Sequence, residues 1–128
     1  MCRKWLFLIL LILTACSTVK IPVEPQAKID ADNHLRFALQ MENNRDFSSA
    51  RESYIFLTEN YRSFADIKGM LACLIGLARI ELENNNEKAY LQYKNQMAEM
   101  IQNTAPELAY YLLLLELYNY QRENNYSA

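Results

Sequence analysis

Hydrophobic and polar positions divide the chain into a leading apolar run and a longer body with helical periodicity. Residues 5–13 are continuously apolar. After residue 26, apolar side chains instead recur every three or four residues, which is the spacing that places them on one face of a helix. The body has no stretch with the alternating pattern of a half-buried strand. The sequence therefore predicts an all-α domain over residues 26–128.

Five helices are predicted in this domain, separated by short polar turns. Asparagine-rich segments at residues 43–46 and 84–86, and later Pro106, interrupt the periodicity. Thr104 and Glu107 have the spacing of a capping box, which predicts the start of the last helix. Because short turns join antiparallel neighbours, the domain should be a series of α-hairpins. The predicted helices cover residues 26–42, 47–61, 66–83, 87–102 and a segment from the capping box to about residue 123.

Small residues recur inside the predicted helices. The only two glycines of the chain, Gly69 and Gly76, both fall in the third helix, where each costs about 1 kcal/mol relative to alanine. Ala38, Ala50 and Ala89 occupy apolar positions of the first, second and fourth helices. We interpret these five residues as helix-packing positions, where a neighbouring backbone approaches closely.

The spacing of some of these residues resembles that of the tetratricopeptide repeat. Ala38 is followed twelve positions later by Ala50 and then by Tyr54, as in the closely packed helix pair of that family. The second hairpin, with Gly76 and Ala89, is spaced one residue longer. The interval from Ala50 to Ala89 is 39 residues, against about 34 in the family. The resemblance implies repeat-like α-hairpins, and an irregular helical bundle is the alternative.

The last helix carries two apolar stripes on nearly opposite sides. One can close the core and consists of Leu108, Tyr111, Leu115 and Tyr118. The other has no later element to cover it, although the end of a helical array is normally polar. We expect this second stripe to bind a partner protein or a second copy. It consists of Tyr110, Leu113, Leu117 and Tyr120. Alternatively, the last helix is central and the first folds over it, which would leave a groove between helices 1 and 3 as the binding surface.

The leading run has the layout of a secretory signal. Arg3 and Lys4 precede nine apolar residues, too few for a membrane span, which takes about 20. The run closes with Leu-Thr-Ala-Cys at residues 13–16. This tetrapeptide resembles the lipobox of bacterial lipoproteins.

The lipobox resemblance implies a cleaved signal peptide over residues 1–15 and a lipid on Cys16. In that family the cysteine thiol takes a diacylglyceryl group, cleavage follows before it, and the new amine is acylated. Ser17, in place of aspartate, implies export to the outer membrane, facing the periplasm. Pro22 and Pro25 favour extended chain, so residues 16–25 should form the lipidated tether.

Charge and residue inventory exclude several function classes. Of 13 Lys and Arg residues, Arg3 and Lys4 would leave with the signal, so 11 remain against 15 Asp and Glu. This balance argues against a nucleic-acid partner. We predict a surface position for His34, the only histidine, and a buried, unreactive thiol for Cys73. No Gly-rich loop or nucleophile motif occurs, so we predict no cofactor, no metal and no enzymatic activity.

These observations predict a lipid-anchored protein-interaction module, which assists the assembly or localisation of an envelope complex. The sequence leaves two alternatives open. The first is a lipoprotein that neutralises a toxin or excludes a rival element. The second is a carrier of a small apolar ligand, with Tyr and Met side chains lining its cavity.

Overall fold

The computed structural model describes residues 25–126, and these fold into five α-helices with no strand among them. The all-α prediction is confirmed. The predicted signal, Cys16 and nearly all of the tether lie outside the described residues. A 3₁₀ turn at Pro106–Leu108 precedes the last helix. The helices are α1 (Gln26–Asn43), α2 (Phe47–Ser63), α3 (Ile67–Glu83), α4 (Glu87–Thr104) and α5 (Tyr110–Tyr126).

The helices form an antiparallel array with α3 at its centre. Consecutive helices from α1 to α4 pack along most of their length, and α3 also contacts α1 and α5. The fifth helix packs mainly against α3 and only sparsely against α4. The side chains of α3 are correspondingly buried on almost every side, and its apolar run 73–78 is buried throughout. A helix with apolar residues all round is suited to this central position.

Three turns of the same design join the first four helices. In each turn the middle residue has a positive φ, 63° at Arg45, 53° at Ala65 and 55° at Asn85. The N–H of the next residue bonds back to a carbonyl five positions earlier, as in a Schellman motif. The side chain of that same residue then caps the following helix. These caps are Asp46, Asp66 and Asn86, bonded to the N–H groups of Ser49, Gly69 and Ala89.

The start of α5 differs from the sequence-based prediction. Thr104 and Glu107 do not form a capping box, and no side chain caps the 3₁₀ turn that begins after Ala105. The Thr104 hydroxyl instead donates to the Met100 carbonyl within α4. Serine and threonine inside a helix commonly bond this way, so Thr104 belongs to the end of α4.

The glycines of α3 make room for tyrosine rings from α2. A Cβ atom on Gly76 would lie 2.4 Å from ring atoms of Tyr54, and one on Gly69 would lie 2.2 Å from the Tyr61 ring. We expected a neighbouring backbone at these positions, and the structure places aromatic side chains there. The third helix therefore has no side chain at these two positions, which leaves room for two large rings to be completely buried.

The two tyrosine hydroxyls reach across the core to carboxylates of α1. Tyr54 donates to Glu42 Oε2 at 2.6 Å, and Tyr61 donates to Asp32 Oδ1 at 2.6 Å. Burial, followed by these bonds to carboxylates, raises the pKa of both tyrosines. Each ring thus packs on α3 while its hydroxyl is bonded to α1, so two α2 side chains hold three helices together.

The other predicted packing positions differ in burial. Ala38 and Ala50 are both completely buried in α1 and α2, which pack together. Ala89 is only half-buried. The buried side chains of α4 are Tyr90, Met97 and Ile101.

Candidate interaction surface

The two stripes predicted for the last helix have opposite environments. Leu115 is completely buried and Leu108 is 5% exposed, whereas Tyr111 and Tyr118 are half-buried against the core. The second stripe lies on the other side. Its side chains Tyr110, Leu113, Leu117 and Tyr120 are 46%, 66%, 52% and 65% exposed. The structure thus leaves four large apolar or aromatic residues in line on one helix.

Leu114 enlarges this exposed surface, with 52% of the residue accessible. The predicted stripe did not include Leu114, because residues spaced alternately by three and four positions from Tyr110 form a single line along the helix. At i+4 from Tyr110 it lies on the same side of the helix. We refer to Tyr110, Leu113, Leu114, Leu117 and Tyr120 as the α5 surface.

No element among residues 25–126 covers the α5 surface. The first helix makes almost no contact with α5, and α4 makes few. The alternative in which α5 is central and α1 folds over it is therefore not what the structure shows. Five such side chains exceed the isolated apolar residues that are normal on a protein surface and match the size of patches that mark interaction sites.

The α5 surface carries no charged side chain. The residues that continue it towards the C-terminus, Gln121 and Asn124, are polar but neutral. At its edge Glu116 forms an ion pair with Lys94 of α4, with 2.9 Å between Oε1 and Nζ. Depletion of charge at the centre, with charges at the rim, is the usual composition of a protein–protein interface.

Two tyrosines connect the α5 surface to the core. The rings of Tyr110 and Tyr111 have centroids 4.6 Å apart and are tilted by 35°. Burial, followed by a hydrogen bond with Tyr110, raises the pKa of Tyr111 to about 12. Such neighbouring rings are rigid and amphipathic, so they suit a contact surface that stays partly wet.

A second feature, missed in the sequence, is a cluster of charges between α1, α2 and α3. Arg79 donates two bonds to Glu42, from Nε to Oε1 at 2.6 Å and from Nη2 to Oε2 at 2.8 Å. The same carboxylate accepts the Tyr54 hydroxyl. Bidentate pairs of this kind are strong and geometrically specific. Because all of its partners are satisfied within the chain, we regard this cluster as structural.

The charges continue towards α5 through Glu83. Tyr118 donates to Glu83 Oε1 at 2.8 Å, and burial, followed by this bond, raises the pKa of Tyr118 to about 12. Arg45 and Arg122 approach the same carboxylate at 3.6 and 3.8 Å. Arg79 lies over the Tyr118 ring at 5.8 Å. Glu42, Arg79 and Glu83 line the groove between helices 1 and 3, which we named as the alternative binding surface. The groove is an open, charged depression of about 470 Å³.

A smaller apolar patch lies at the opposite end of the array. Phe37 of α1 and Phe56 of α2 are 55% and 58% exposed and border a shallow depression with His34. The sequence analysis missed this pair because the two residues belong to different helices. It has two large side chains, against five in the α5 surface.

The remaining candidate residues have simple environments. Cys73 is buried, and burial raises the pKa of its thiol to about 12, which is the state of an unreactive cysteine. His34 is exposed on α1. In residues 25–126 no three His, Cys, Asp or Glu side chains are grouped so that they could hold a metal ion. The same part of the chain has no helix that is long and apolar enough to cross a membrane.

Comparison with known proteins gave no match to a protein-family model, to a curated protein or to a solved structure.

Proposed function

We propose that this chain is a lipid-anchored protein of the bacterial envelope that docks another protein through the α5 surface. The observation that carries the proposal is the exposure of five large side chains on one side of a helix with no charge among them. Docking of a helix or another apolar surface would remove these side chains from water. Burial of a single leucine side chain contributes roughly 1.5–3 kcal/mol.

The anchor half of the proposal rests on the lipobox at residues 13–16. Two or three acyl chains on Cys16 would hold the domain at the membrane far more firmly than one, at about 0.8 kcal/mol per buried methylene. Residues 16–25 would then connect the lipid to α1, which begins at Gln26. Ten extended residues span at most about 35 Å, so the α5 surface would work close to the membrane, and we propose the periplasmic side of the outer membrane.

The packing of the core favours a docking protein over an apolar carrier. The side chains that would line a carrier's cavity, such as Tyr54, Tyr61 and Met97, are completely buried in contact with other residues. The depressions on the described part of the surface are open, and the one of about 470 Å³ is bordered by Arg45, Arg79 and other charged side chains. A toxin-neutralising or exclusion protein would use the same α5 surface and differs only in its partner.

We propose a binding role without catalysis. The most concentrated polar group, around Glu42, Arg79 and Tyr54, is saturated by its own hydrogen bonds. A catalytic acid or base must instead reach a substrate proton. The Cys73 thiol is buried, so a substrate could not reach it.

The docking half is tested by pull-down from solubilised envelope with a double variant, Tyr110→Glu with Leu117→Glu. Both side chains are about half exposed, so the variant should keep its helicity and melting temperature. Two carboxylates in the centre of the interface should abolish capture of the partner. The matched control is Ile55→Glu with Leu91→Glu, which adds the same charge at apolar residues of similar exposure on α2 and α4. Equal capture by the two variants would refute docking through α5.

The anchor half is tested separately by metabolic labelling with a radioactive fatty acid. Cys16→Ala removes the acceptor thiol, so the variant should incorporate no label and should accumulate as the unprocessed chain. Cys73→Ala is the matched control, because it removes a cysteine from the core and should leave labelling unchanged. Label that persists in the Cys16→Ala protein would contradict lipidation at this residue.

A further inference from the structure

The exposed residues of α5 have the spacing of a coiled-coil seam. Tyr110, Leu113, Leu117 and Tyr120 are separated by three, four and three positions. This is the alternation of a and d positions in a heptad, which keeps side chains facing a partner helix. The third helix, at the centre of the array, lies on the other side of α5. Within residues 25–126, no other helix covers the seam.

The seam also reads the same in both directions. From either end its order is tyrosine, leucine, leucine, tyrosine, with the same intervals. In a pair related by a two-fold axis, residue i contacts residue j and j contacts i, so this order pairs each side chain with one of the same kind. In an antiparallel pair, Tyr110 would share a layer with Tyr120 of the other copy, and Leu113 with Leu117.

We infer that the partner of the α5 surface is a second copy of this chain, bound through an antiparallel pair of α5 helices. The inference rests on the proposed function, since it names the protein that docks on the surface described there. The helix pair would have four layers, with tyrosine pairs outside and leucine pairs inside. Leu114 flanks the inner layers on one side.

The area of the α5 surface fits a weak dimer. With exposed fractions between 46% and 66%, its five side chains offer on the order of 500 Å² per chain. Two copies would bury about 1,000 Å², close to the minimum for a specific interface and below the usual 1,600 Å². The dimer should therefore be weak and form reversibly.

Charge does not oppose this pairing. The chain carries a net negative charge, but the seam and its neutral neighbours Gln121 and Asn124 place no charge in the contact. The carboxylate nearest the centre, Glu116, has Lys94 as its partner in the same chain. Two seams can thus meet without burying an unpaired charge, which would be costly.

A lipid anchor would strengthen a weak interface of this kind. Two copies confined to one membrane meet at a much higher effective concentration than two copies in solution. An interface of about 1,000 Å² can therefore suffice for a tethered protein. The experiment therefore uses the protein in its membrane.

The test is cysteine cross-linking of the full chain in intact cells. Tyr110→Cys and Tyr120→Cys variants, with different tags, are co-expressed and mildly oxidised, and adducts are resolved on a non-reducing gel. In the antiparallel pair these two positions share a layer, so the mixture should give a dimer of both tags. Each variant alone should give several-fold less, because its own two copies of the position lie about 15 Å apart along the helix, too far for a disulfide. The parent chain, with its own cysteines, supplies the background.

The outcomes separate this inference from the proposed function. Adducts to a different protein, without the mixed dimer, would overturn self-association and leave docking through α5 intact. No adduct above background from any variant would overturn self-association, whereas docking of a different protein, which need not carry a cysteine there, is tested by the pull-down. A dimer that forms equally well with one variant alone would overturn the antiparallel arrangement.

A second measurement guards against a cross-link that forms by chance collision. Leu117→Glu, introduced into both tagged variants, should weaken the pairing about 30-fold or more, the effect of losing a central interface residue, and so reduce the mixed dimer several-fold. Ile55→Glu, on the exposed side of α2, should leave the dimer unchanged. An undiminished adduct in the Leu117→Glu background would overturn the inference.

Discussion

The third and fifth helices are equally long, 17 residues each, and both are rich in large apolar side chains, yet their environments are opposite. Eleven residues of α3 are buried, against one of α5. In α3, glycine, alanine and cysteine alternate with leucine and isoleucine, so neighbours can approach from several sides. In α5, leucine and tyrosine form two separate stripes, and among residues 25–126 only one of them packs against a neighbouring helix. Apolar content alone therefore does not decide burial; the number of sides that neighbours can reach does.

The difference in burial between α3 and α5 is tested most strongly by placing the same charge in both helices. Ala78→Arg in α3 would bury a guanidinium where no space or partner exists, since Ala78 is completely buried. It should destabilise the fold by more than about 4 kcal/mol. Leu113→Arg in α5, at 66% exposure, should change the free energy of unfolding by less than about 0.5 kcal/mol. Chemical denaturation measures both, and similar losses would show that α5 is core on both sides.

An alkaline titration tests the burial of Cys73 in α3 without introducing a larger side chain. The pKa of the Cys73 thiol rises from 9.0 to about 12 because of burial, so the folded state keeps a proton that the unfolded state loses. Stability from this group is complete below pH 9 and is lost as pH rises from 9 to 12, by roughly 1.4 kcal/mol per pH unit. The parent should therefore lose about 2 kcal/mol more than Cys73→Ala between pH 9 and 11. Parallel stability curves for the two proteins would contradict the burial of this thiol.

A single methyl group on α3 tests the role of its glycines. Gly76→Ala normally favours a helix by about 1 kcal/mol, but here the new Cβ would lie 2.4 Å from the buried Tyr54 ring. We expect a loss of about 2 kcal/mol from overpacking. In a Tyr54→Leu background the same substitution should cost much less, because the ring is gone. A stabilised Gly76→Ala protein would show that the ring can move aside.

The smallest expected effect lies in the turn that leads into α3. Ala65 has a φ of 53°, a conformation that costs an alanine roughly 1–2 kcal/mol and glycine little. Ala65→Gly should therefore stabilise the fold by about 0.5–1 kcal/mol in thermal or chemical unfolding. Asn85→Gly, in the equivalent turn, should gain less, since asparagine tolerates this region. A loss of stability at Ala65 would show that its methyl group is needed for packing.

The sequence predicted the helices because their information is local. Periodicity over residues 26–123 and the short polar turns predicted five helices, and the ends of the first four lie within two residues of those observed. The two stripes of α5 were predictable for the same reason, since they depend only on spacing within one helix. That one stripe binds a partner stays a prediction.

What sequence reasoning missed depends on residues far apart in the chain. The bond between Arg79 and Glu42 joins residues 37 positions apart, and no local pattern pairs them. The glycines of α3 signalled a close approach, but only tertiary packing shows that Tyr54 and Tyr61 fill the space. Thr104 and Glu107 had the spacing of a cap, yet the 3₁₀ turn at Pro106–Leu108 replaced it.

The bonds from Tyr54 and Tyr61 to α1 have a consequence for how the molecule opens. Each tyrosine ring packs on α3, and its hydroxyl is bonded to a carboxylate of α1. None of the first three helices can therefore move away from the other two without exposing a buried ring. Their amide protons should exchange with deuterium together, through one cooperative opening close to global unfolding. The fifth helix has few contacts outside α3, so its amides should exchange sooner. The helix that offers the free surface would then also be the one that detaches at the lowest free energy.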